Sequence, residues 1–309
     1  MTAMQNELAA RMGDAFAPVL SGSGTAADVR ARLQASRRPA VPVEVSRVVN
    51  RDIPGPDGGA LPVRIYHPLG APDGALPVVV YFHGGGFVLC DLDSHDSCCR
   101  RLSNGAGAVV VSVEYRLAPE SPFPAAVHDA WAATRWVAGH MAELGGDPAR
   151  LVVAGDSAGG NLAAVVAMLA RDAGTPSIAF QLLIYPVLDQ RRKSSAASEH
   201  VASGVLTAEH MQWFTEQYLG ASGERTDVLA SPILGNLEGL PPAHIVTGQL
   251  DPLRAEDEEY ARLLRAAGVP ATITEYERMF HGFFNLSDHL PVARLANDEV
   301  CAVLRKALT

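Results

Sequence analysis

A serine flanked by glycines separates a strand pattern from a helix pattern in the middle of the chain. Residues 151–154 form a short apolar run typical of a buried strand, and residues 158–172 have the composition of a helix that stops at Gly174. Between them lies Gly155-Asp-Ser157-Ala-Gly159. A turn this sharp needs small neighbours on both sides of the serine, and it holds the hydroxyl clear of the sheet. The pattern predicts a nucleophile elbow with Ser157 as the nucleophile.

A glycine-rich segment follows an earlier strand pattern. Residues 77–82 are apolar and β-branched, and they run into His83-Gly84-Gly85-Gly86-Phe87. Three glycines after a buried strand allow several backbone N–H groups to turn towards one point, as an oxyanion hole requires. A glycine-rich turn without a ligand is the alternative that the glycines alone leave open. A phosphate loop is disfavoured because its motifs are missing.

Two further strand patterns are each followed by a polar candidate. Asp251 comes just after the strand pattern at 243–248, and His281 comes five residues after the one at 271–276. The chain order Ser157, Asp251, His281 is that of an α/β-hydrolase and differs from both protease orders of the same triad. Each residue is predicted in a loop after a strand, where an α/β sheet places its site.

The chain resembles the hormone-sensitive-lipase-like family of α/β-hydrolases, the family IV bacterial esterases with the GDSAG serine motif. The matching segments are collinear and are residues 83–87, 91–96, 114–120, 123–126, 155–161, 240–242, 251–253 and 281–284. The chain departs from the usual family pattern at Ala255-Glu256-Asp257 and at Arg278-Met279-Phe280, neither of which includes a triad candidate.

The resemblance implies a serine carboxylesterase that works through an acyl-enzyme. Ser157, Asp251 and His281 would be the catalytic residues. An oxyanion hole would consist of Gly84, Gly85, Gly86 and Ala158; the last three would donate N–H groups and Gly84 would shape the turn. The expected substrates are neutral esters of short to medium acyl chain, and no cofactor or metal is expected.

Alternating strand and helix patterns predict one α/β domain over residues 1–309. The predicted sheet has eight mostly parallel strands with helices on both faces, and a short loop near 53–59 suggests that the first two strands pair antiparallel. The predicted strands are 43–49, 62–67, 77–82, 108–114, 151–155, 180–185, 243–248 and 271–276. The predicted helices are 126–142, 158–172, 254–267 and 292–308.

Two segments interrupt this alternation, about 1–40 and 188–235. Each contains an apolar helix pattern, the second at about 207–219. In the family the corresponding segments form a helical cap over the site, so Met211 and Phe214 are candidates for the substrate pocket. Plain packing onto the core is the alternative for such apolar stripes.

Composition and charge limit the classes of partner that the chain is expected to bind. The chain has a net charge of −9 at pH 7, which disfavours nucleic acid and anionic membranes. No apolar run approaches the length of a membrane span, the N-terminus does not resemble a signal peptide, and the four cysteines show no disulfide framework. The expectation is a cytoplasmic enzyme for a small-molecule ester. The oligomeric state stays open, with a homodimer as one alternative.

Other residues near the motifs have structural interpretations. His83 is expected to orient the glycine-rich loop through a hydrogen bond, and Asp156 to make a structural hydrogen bond on the far side of the elbow. His289 is a weaker alternative to His281, and Glu256 a weaker alternative to Asp251. Amide or lactone hydrolysis by the same triad, and a module that only binds, are the competing functions.

Overall fold

The computed structural model describes residues 3–36, 42–71, 74–191, 205–220 and 223–309. Within these ranges the chain forms one sheet of eight strands in the order β1-β2-β4-β3-β5-β6-β7-β8. The strands are β1 Arg47–Pro54, β2 Ala60–His67, β3 Leu76–Phe82, β4 Val109–Val113, β5 Gly146–Asp156, β6 Phe180–Ile184, β7 Ala243–Gly248 and β8 Ala271–Tyr276. Strand β2 pairs antiparallel with β1 and β4, and the remaining neighbours are parallel.

Helices cover both faces of this sheet. They are α1 Ala3–Leu20, α2 Ala26–Ala35, α3 Asp96–Ala106, α4 Ala125–Gly139, α5 Met141–Leu144, α6 Ala158–Ala173, α7 Ala208–Leu219, α8 Arg254–Ala266 and α9 Pro291–Ala307. Alternate residues of the buried strand β3 point to opposite faces, as the period of two requires. Val78 and Val80 belong to a core with α4, α6 and α8, whereas Val79 and Tyr81 belong to a core with α3 and α9. The predicted fold is confirmed.

Some boundaries differ from the predicted ones. The first strand was expected at 43–49 and lies at Arg47–Pro54. It is an edge strand with one partner and is largely accessible, so its sequence mixes polar and apolar residues and marks its ends poorly. Helix α3 was not predicted, because its sequence is mostly polar; it buries Cys98, Cys99 and Leu102 against the sheet.

The N-terminal segment contains two helices where one was expected. Helix α2 begins with a capping box, in which Thr25 Oγ1 accepts from the N–H of Asp28 and the Asp28 carboxylate accepts from the N–H of Thr25. Helix α7 occupies the predicted range in the second interrupting segment. Residues 1–2, 37–40, 192–204 and 221–222 of the two predicted cap segments lie outside the described residues.

Among the described residues, no helix is long and apolar enough to span a membrane. The four cysteines form no disulfide with one another.

Candidate active site

Ser157 lies at the junction of β5 and α6 in a strained conformation. Its φ of 55° and ψ of −116° are unusual for a residue with a side chain. The turn fits only because of the glycine two residues further on: a Cβ at Gly159 would overlap the carbonyl of Phe82 on the neighbouring strand. The Ser157 N–H donates to the carbonyl of Ile184 at 2.8 Å, which fixes the elbow to β6. The predicted sharp turn is present, and its strain is of the kind that accumulates at functional sites.

His281 and Asp251 extend a hydrogen-bond chain from the serine. His281 Nε2 lies 2.9 Å from Ser157 Oγ, and His281 Nδ1 lies 2.8 Å from Asp251 Oδ2. The second carboxylate oxygen of Asp251 accepts from the N–H of Leu253 at 2.9 Å, and the Asp251 side chain is fully buried. Because Asp251 accepts at Nδ1, the imidazole carries its proton there and presents an unprotonated Nε2 to the serine hydroxyl. The structure thus brings the three triad candidates together.

The alternatives to these two residues lie elsewhere. His289 is exposed, and its N–H donates to the carbonyl of Leu286. Glu256 Oε1 accepts from the N–H of Leu188 at 2.8 Å. Neither contact involves Ser157, so the geometry favours His281 and Asp251.

The glycine-rich loop after β3 borders the same cavity as the serine. Gly85 and Gly86 have φ of 107° and 62°, and both border the cavity that contains Ser157. Neither N–H has a backbone acceptor among the described residues. Ala158 is the first residue of α6, where an N–H has no partner within the helix. Gly84 differs, because its N–H donates to Asp156 Oδ1 at 3.0 Å. Its part is therefore to hold the loop.

The carboxylate of Asp156 has four hydrogen-bond partners from different parts of the chain. Besides Gly84, its carboxylate accepts from Tyr81 Oη at 2.8 Å, from Asn285 Nδ2 at 2.9 Å and from His95 Nε2 at 3.1 Å. Burial by itself would raise the pKa of Asp156, but His95, Tyr81 and Asn285 outweigh it and the pKa lies below its ordinary value. Asn285 was not singled out in the sequence, since only the fold brings it to this carboxylate.

His83 supports the same loop from inside the core. Its ring stacks on Tyr115 with centroids 4.3 Å apart, and Nδ1 donates to the carbonyl of Gly84 at 2.8 Å. Tyr115 Oη donates to the carbonyl of His83 at 2.7 Å. Burial, together with the nearby His95, lowers the pKa of His83 to about 4. The neighbours of Tyr115 make other contacts: Glu114 accepts from the N–H of Leu92, and Arg116 pairs with Asp57 and Asp129.

A cavity of about 250 Å³ opens over Ser157 and His281. Most of its wall is apolar, and residues far apart in the chain contribute to it. The side chains from the two segments that interrupt the α/β alternation are Leu8, Leu33, Gln190, Val205, Leu206, Met211, Phe214, Thr215 and Tyr218. Both predicted pocket residues, Met211 and Phe214, are among them. The ring of Phe214 fills the space that a Cβ at Gly86 would need.

Phe16 joins the two segments behind this wall. It lies on α1, is fully buried and contacts three rings of α7. Its ring centroid lies 4.5 Å from that of His210, 5.1 Å from that of Trp213 and 5.5 Å from that of Phe214. The cavity wall on α7 is therefore backed by α1.

Comparison with known proteins agrees with this geometry. Residues 79–285 match the model of a protein family whose description is "alpha/beta hydrolase fold". The chain belongs to the α/β-hydrolase family. It is 45% identical to the esterase LipI of Mycobacterium tuberculosis over 91% of this chain and 88% of the relative. It is 38% identical to the ethyl acetate hydrolase of Pseudomonas putida over 74% of this chain and 73% of that one.

Solved structures of other α/β-hydrolases are similar over most of the chain. The thermostable carboxylesterase EstE1, cloned from a metagenomic library, superposes with a TM-score of 0.86 at 42% identity, over 93% of this chain and 99% of its own. The resemblance to hormone-sensitive-lipase-like esterases is thereby confirmed.

Proposed function

We propose that the protein is a serine carboxylesterase that hydrolyses neutral esters through Ser157, His281 and Asp251. The observation that carries the proposal is the continuous hydrogen-bond chain from Ser157 Oγ through the imidazole to the buried Asp251 carboxylate. The relatives named as esterases support the reaction class.

The chemistry assigns one role to each group. Ser157 Oγ attacks the ester carbonyl while His281 Nε2 takes the hydroxyl proton, and the imidazolium then gives a proton to the departing alkoxide. Asp251 holds the proton-bearing Nδ1 and stabilises the imidazolium. Water then attacks the acyl-enzyme by the same route, so that acid and alcohol are the products.

The backbone of the glycine-rich loop and of the elbow stabilises the negative charge that develops on the carbonyl oxygen. The N–H groups of Gly85, Gly86 and Ala158 are the donors, and each such donor is typically worth about 3–4 kcal/mol. Their value depends on being fixed in advance, and the contacts of Gly84 with Asp156 and His83 supply that rigidity.

The cavity supports a preference for uncharged esters of short to medium acyl chain. Its wall is mainly apolar, its volume is about 250 Å³, and one relative is named an ethyl acetate hydrolase. Helices α1, α2 and α7 would form the cap over this pocket, with Met211 and Phe214 as walls.

Labelling with an organophosphonate ester tests the nucleophile. We expect one phosphonyl group per chain on Ser157, with complete loss of esterase turnover, and no labelling of Ser157→Ala.

Because the triad acts as a unit, Ser157→Ala and His281→Ala should each remove nearly all kcat. Turnover within tenfold of wild type in either variant, with the fold intact, would exclude this mechanism. Matched ester, amide and lactone substrates measured in parallel separate the reaction classes.

A further inference from the structure

Arg30 of α2 contacts the glycine-rich loop from the N-terminal segment. Its Nε donates to the carbonyl of Val88 at 2.7 Å, and its Nη2 donates to the carbonyl of Ala118 at 2.7 Å. Both Val88 and Ala118 are fully buried. The same guanidinium forms a bidentate pair with the carboxylate of Glu120 at 2.9 and 2.7 Å.

The two carbonyl contacts matter more than the ion pair. The side chain of Glu120 is 57% exposed, and exposed ion pairs contribute little because water and salt screen them. In contrast, no other hydrogen bond among the described residues reaches the carbonyl of Val88 or of Ala118. A buried carbonyl without a hydrogen-bond donor destabilises the fold. Arg30 supplies the donor for both of these carbonyls.

The Val88 contact leads directly to an oxyanion-hole donor. The carbonyl of Val88 and the N–H of Leu89 belong to one planar trans peptide unit and point in opposite directions. That N–H donates to the carbonyl of Gly85 at 2.8 Å. The carbonyl of Gly85 in turn shares a peptide unit with the N–H of Gly86, which must therefore point away from it. Two peptide units thus connect Arg30 Nε to the N–H of Gly86.

The Ala118 contact supports a parallel connection. The N–H of Ala118 donates to the carbonyl of Phe87 at 2.9 Å, and the N–H of Val88 in that peptide unit donates to the carbonyl of Gly85 at 3.1 Å. The Gly85 carbonyl therefore accepts from two N–H groups, those of Leu89 and Val88. The peptide unit of the first is bound by Arg30, and the peptide unit of the second is bound by Ala118, whose own carbonyl Arg30 also binds.

The loop requires such support because its backbone is strained. Phe87 and Cys90, which carry side chains, have φ of 64° and 71°. Conformations of this kind persist only where the surroundings hold them in place.

We propose that Arg30 is a positioning residue for the oxyanion hole, so that the N-terminal segment supports catalysis as well as covering the pocket. This inference rests on the proposed esterase function. Loss of the guanidinium should leave ester binding largely intact and weaken stabilisation of the tetrahedral intermediate, because the Gly85–Gly86 peptide unit loses its fixed orientation.

Arg30→Ala in the full chain tests the proposal through a split between kcat and KM. We expect kcat for a short-chain ester to fall about 10- to 100-fold, the size of loss that small misplacements cause, with KM within threefold of wild type. The Ki of a trifluoromethyl ketone, which forms a hemiketal oxyanion on Ser157, should rise by a similar factor. The Ki of the corresponding alcohol, which forms no oxyanion, should stay within threefold of wild type.

Three further variants separate positioning from general effects of charge and stability. Arg32→Ala removes the same charge from an exposed site on the same helix and should stay within twofold of wild type. Glu120→Gln removes the ion pair but leaves both carbonyl contacts, and it should lose less than threefold in kcat. Arg30→Lys keeps the charge but lacks the planar fork that reaches two carbonyls, and it should lose most of what Arg30→Ala loses.

The outcomes distinguish this inference from the proposed function. A wild-type chain that neither hydrolyses esters nor accepts a phosphonate on Ser157 would overturn the function itself. A labelled and active wild type, with a folded Arg30→Ala whose kcat and trifluoromethyl ketone Ki stay within twofold, would overturn only the role of Arg30. If Arg30→Ala does not fold, the same comparison with Arg30→Lys decides.

Discussion

Acidification should destabilise this protein through His83. The His83 ring is buried against Tyr115 with its pKa lowered to about 4, whereas an unfolded chain binds a proton at the ordinary value of 6.5. Below pH 6.5 the unfolded state therefore binds more protons at this position than the folded state, and the free energy of unfolding falls as the pH falls. The effect is complete near pH 4. At 1.36 kcal/mol per unit, a shift from 6.5 to about 4 corresponds to roughly 3 kcal/mol.

The comparison of wild type with His83→Asn isolates this contribution. Asparagine does not titrate, and its amide N–H can replace Nδ1 as donor to the carbonyl of Gly84. At pH 7 the variant should be less stable, because it loses the stacking on Tyr115. As the pH falls from 6.5 to 4 the stability difference should shift by roughly 3 kcal/mol in favour of the variant. The pH dependence contributed by titrating groups far from His83 is the same in both proteins and cancels in the difference.

Urea unfolding followed by tryptophan fluorescence at half-unit pH steps measures the difference. His289→Asn is the matched control, because the same substitution is made at an exposed site. It should not show the shift of roughly 3 kcal/mol expected for His83→Asn. A constant difference between wild type and His83→Asn from pH 6.5 to 4 would refute the assignment of His83 as a histidine that stays neutral in the fold.

Three other outcomes follow from the site. Gly86→Ala should lower kcat at least tenfold, since φ is positive and a Cβ would overlap Phe214; Gly86→Ala/Phe214→Ala should recover part of the loss, and no recovery would show that the clash is not the cause. Met211→Ala and Phe214→Ala should shift kcat/KM across esters of two to twelve acyl carbons more than turnover of an acetate ester, and unchanged profiles would make α7 a packing element only. EDTA should leave ester hydrolysis unchanged, whereas loss of activity restored by zinc would contradict the proposed mechanism.

The triad candidates could be found in the sequence because each follows a strand. Ser157 directly follows β5 and Asp251 comes three residues after the buried strand β7, while His281 comes five residues after β8, an edge strand that is largely accessible. Parallel strands bring their carboxyl ends to one edge, so three local patterns were enough to predict one site. Gly84, Gly85 and Gly86 could be found because they also follow a strand and because three consecutive glycines are unusual.

The supporting contacts could not be predicted in this way. Arg30 and Arg32 look alike in the sequence of α2, yet only Arg30 reaches the carbonyls of Val88 and Ala118. Asn285 meets Asp156 across more than a hundred residues of chain. No local pattern marks such partners, because tertiary packing alone selects them. The roles of the pocket walls and a cytoplasmic location stay predictions.

The contact of Phe16 with α7 has a consequence for how the specificity of this enzyme can change. Phe16 backs the helix that carries Met211 and Phe214, although almost two hundred residues of chain separate them. A recombinant that takes α7 from one relative and α1 from another would place mismatched rings at this junction and move the pocket wall. Helices α1 and α7 should therefore be treated as one structural unit. Substrate preference should transfer between relatives only when both helices are exchanged together.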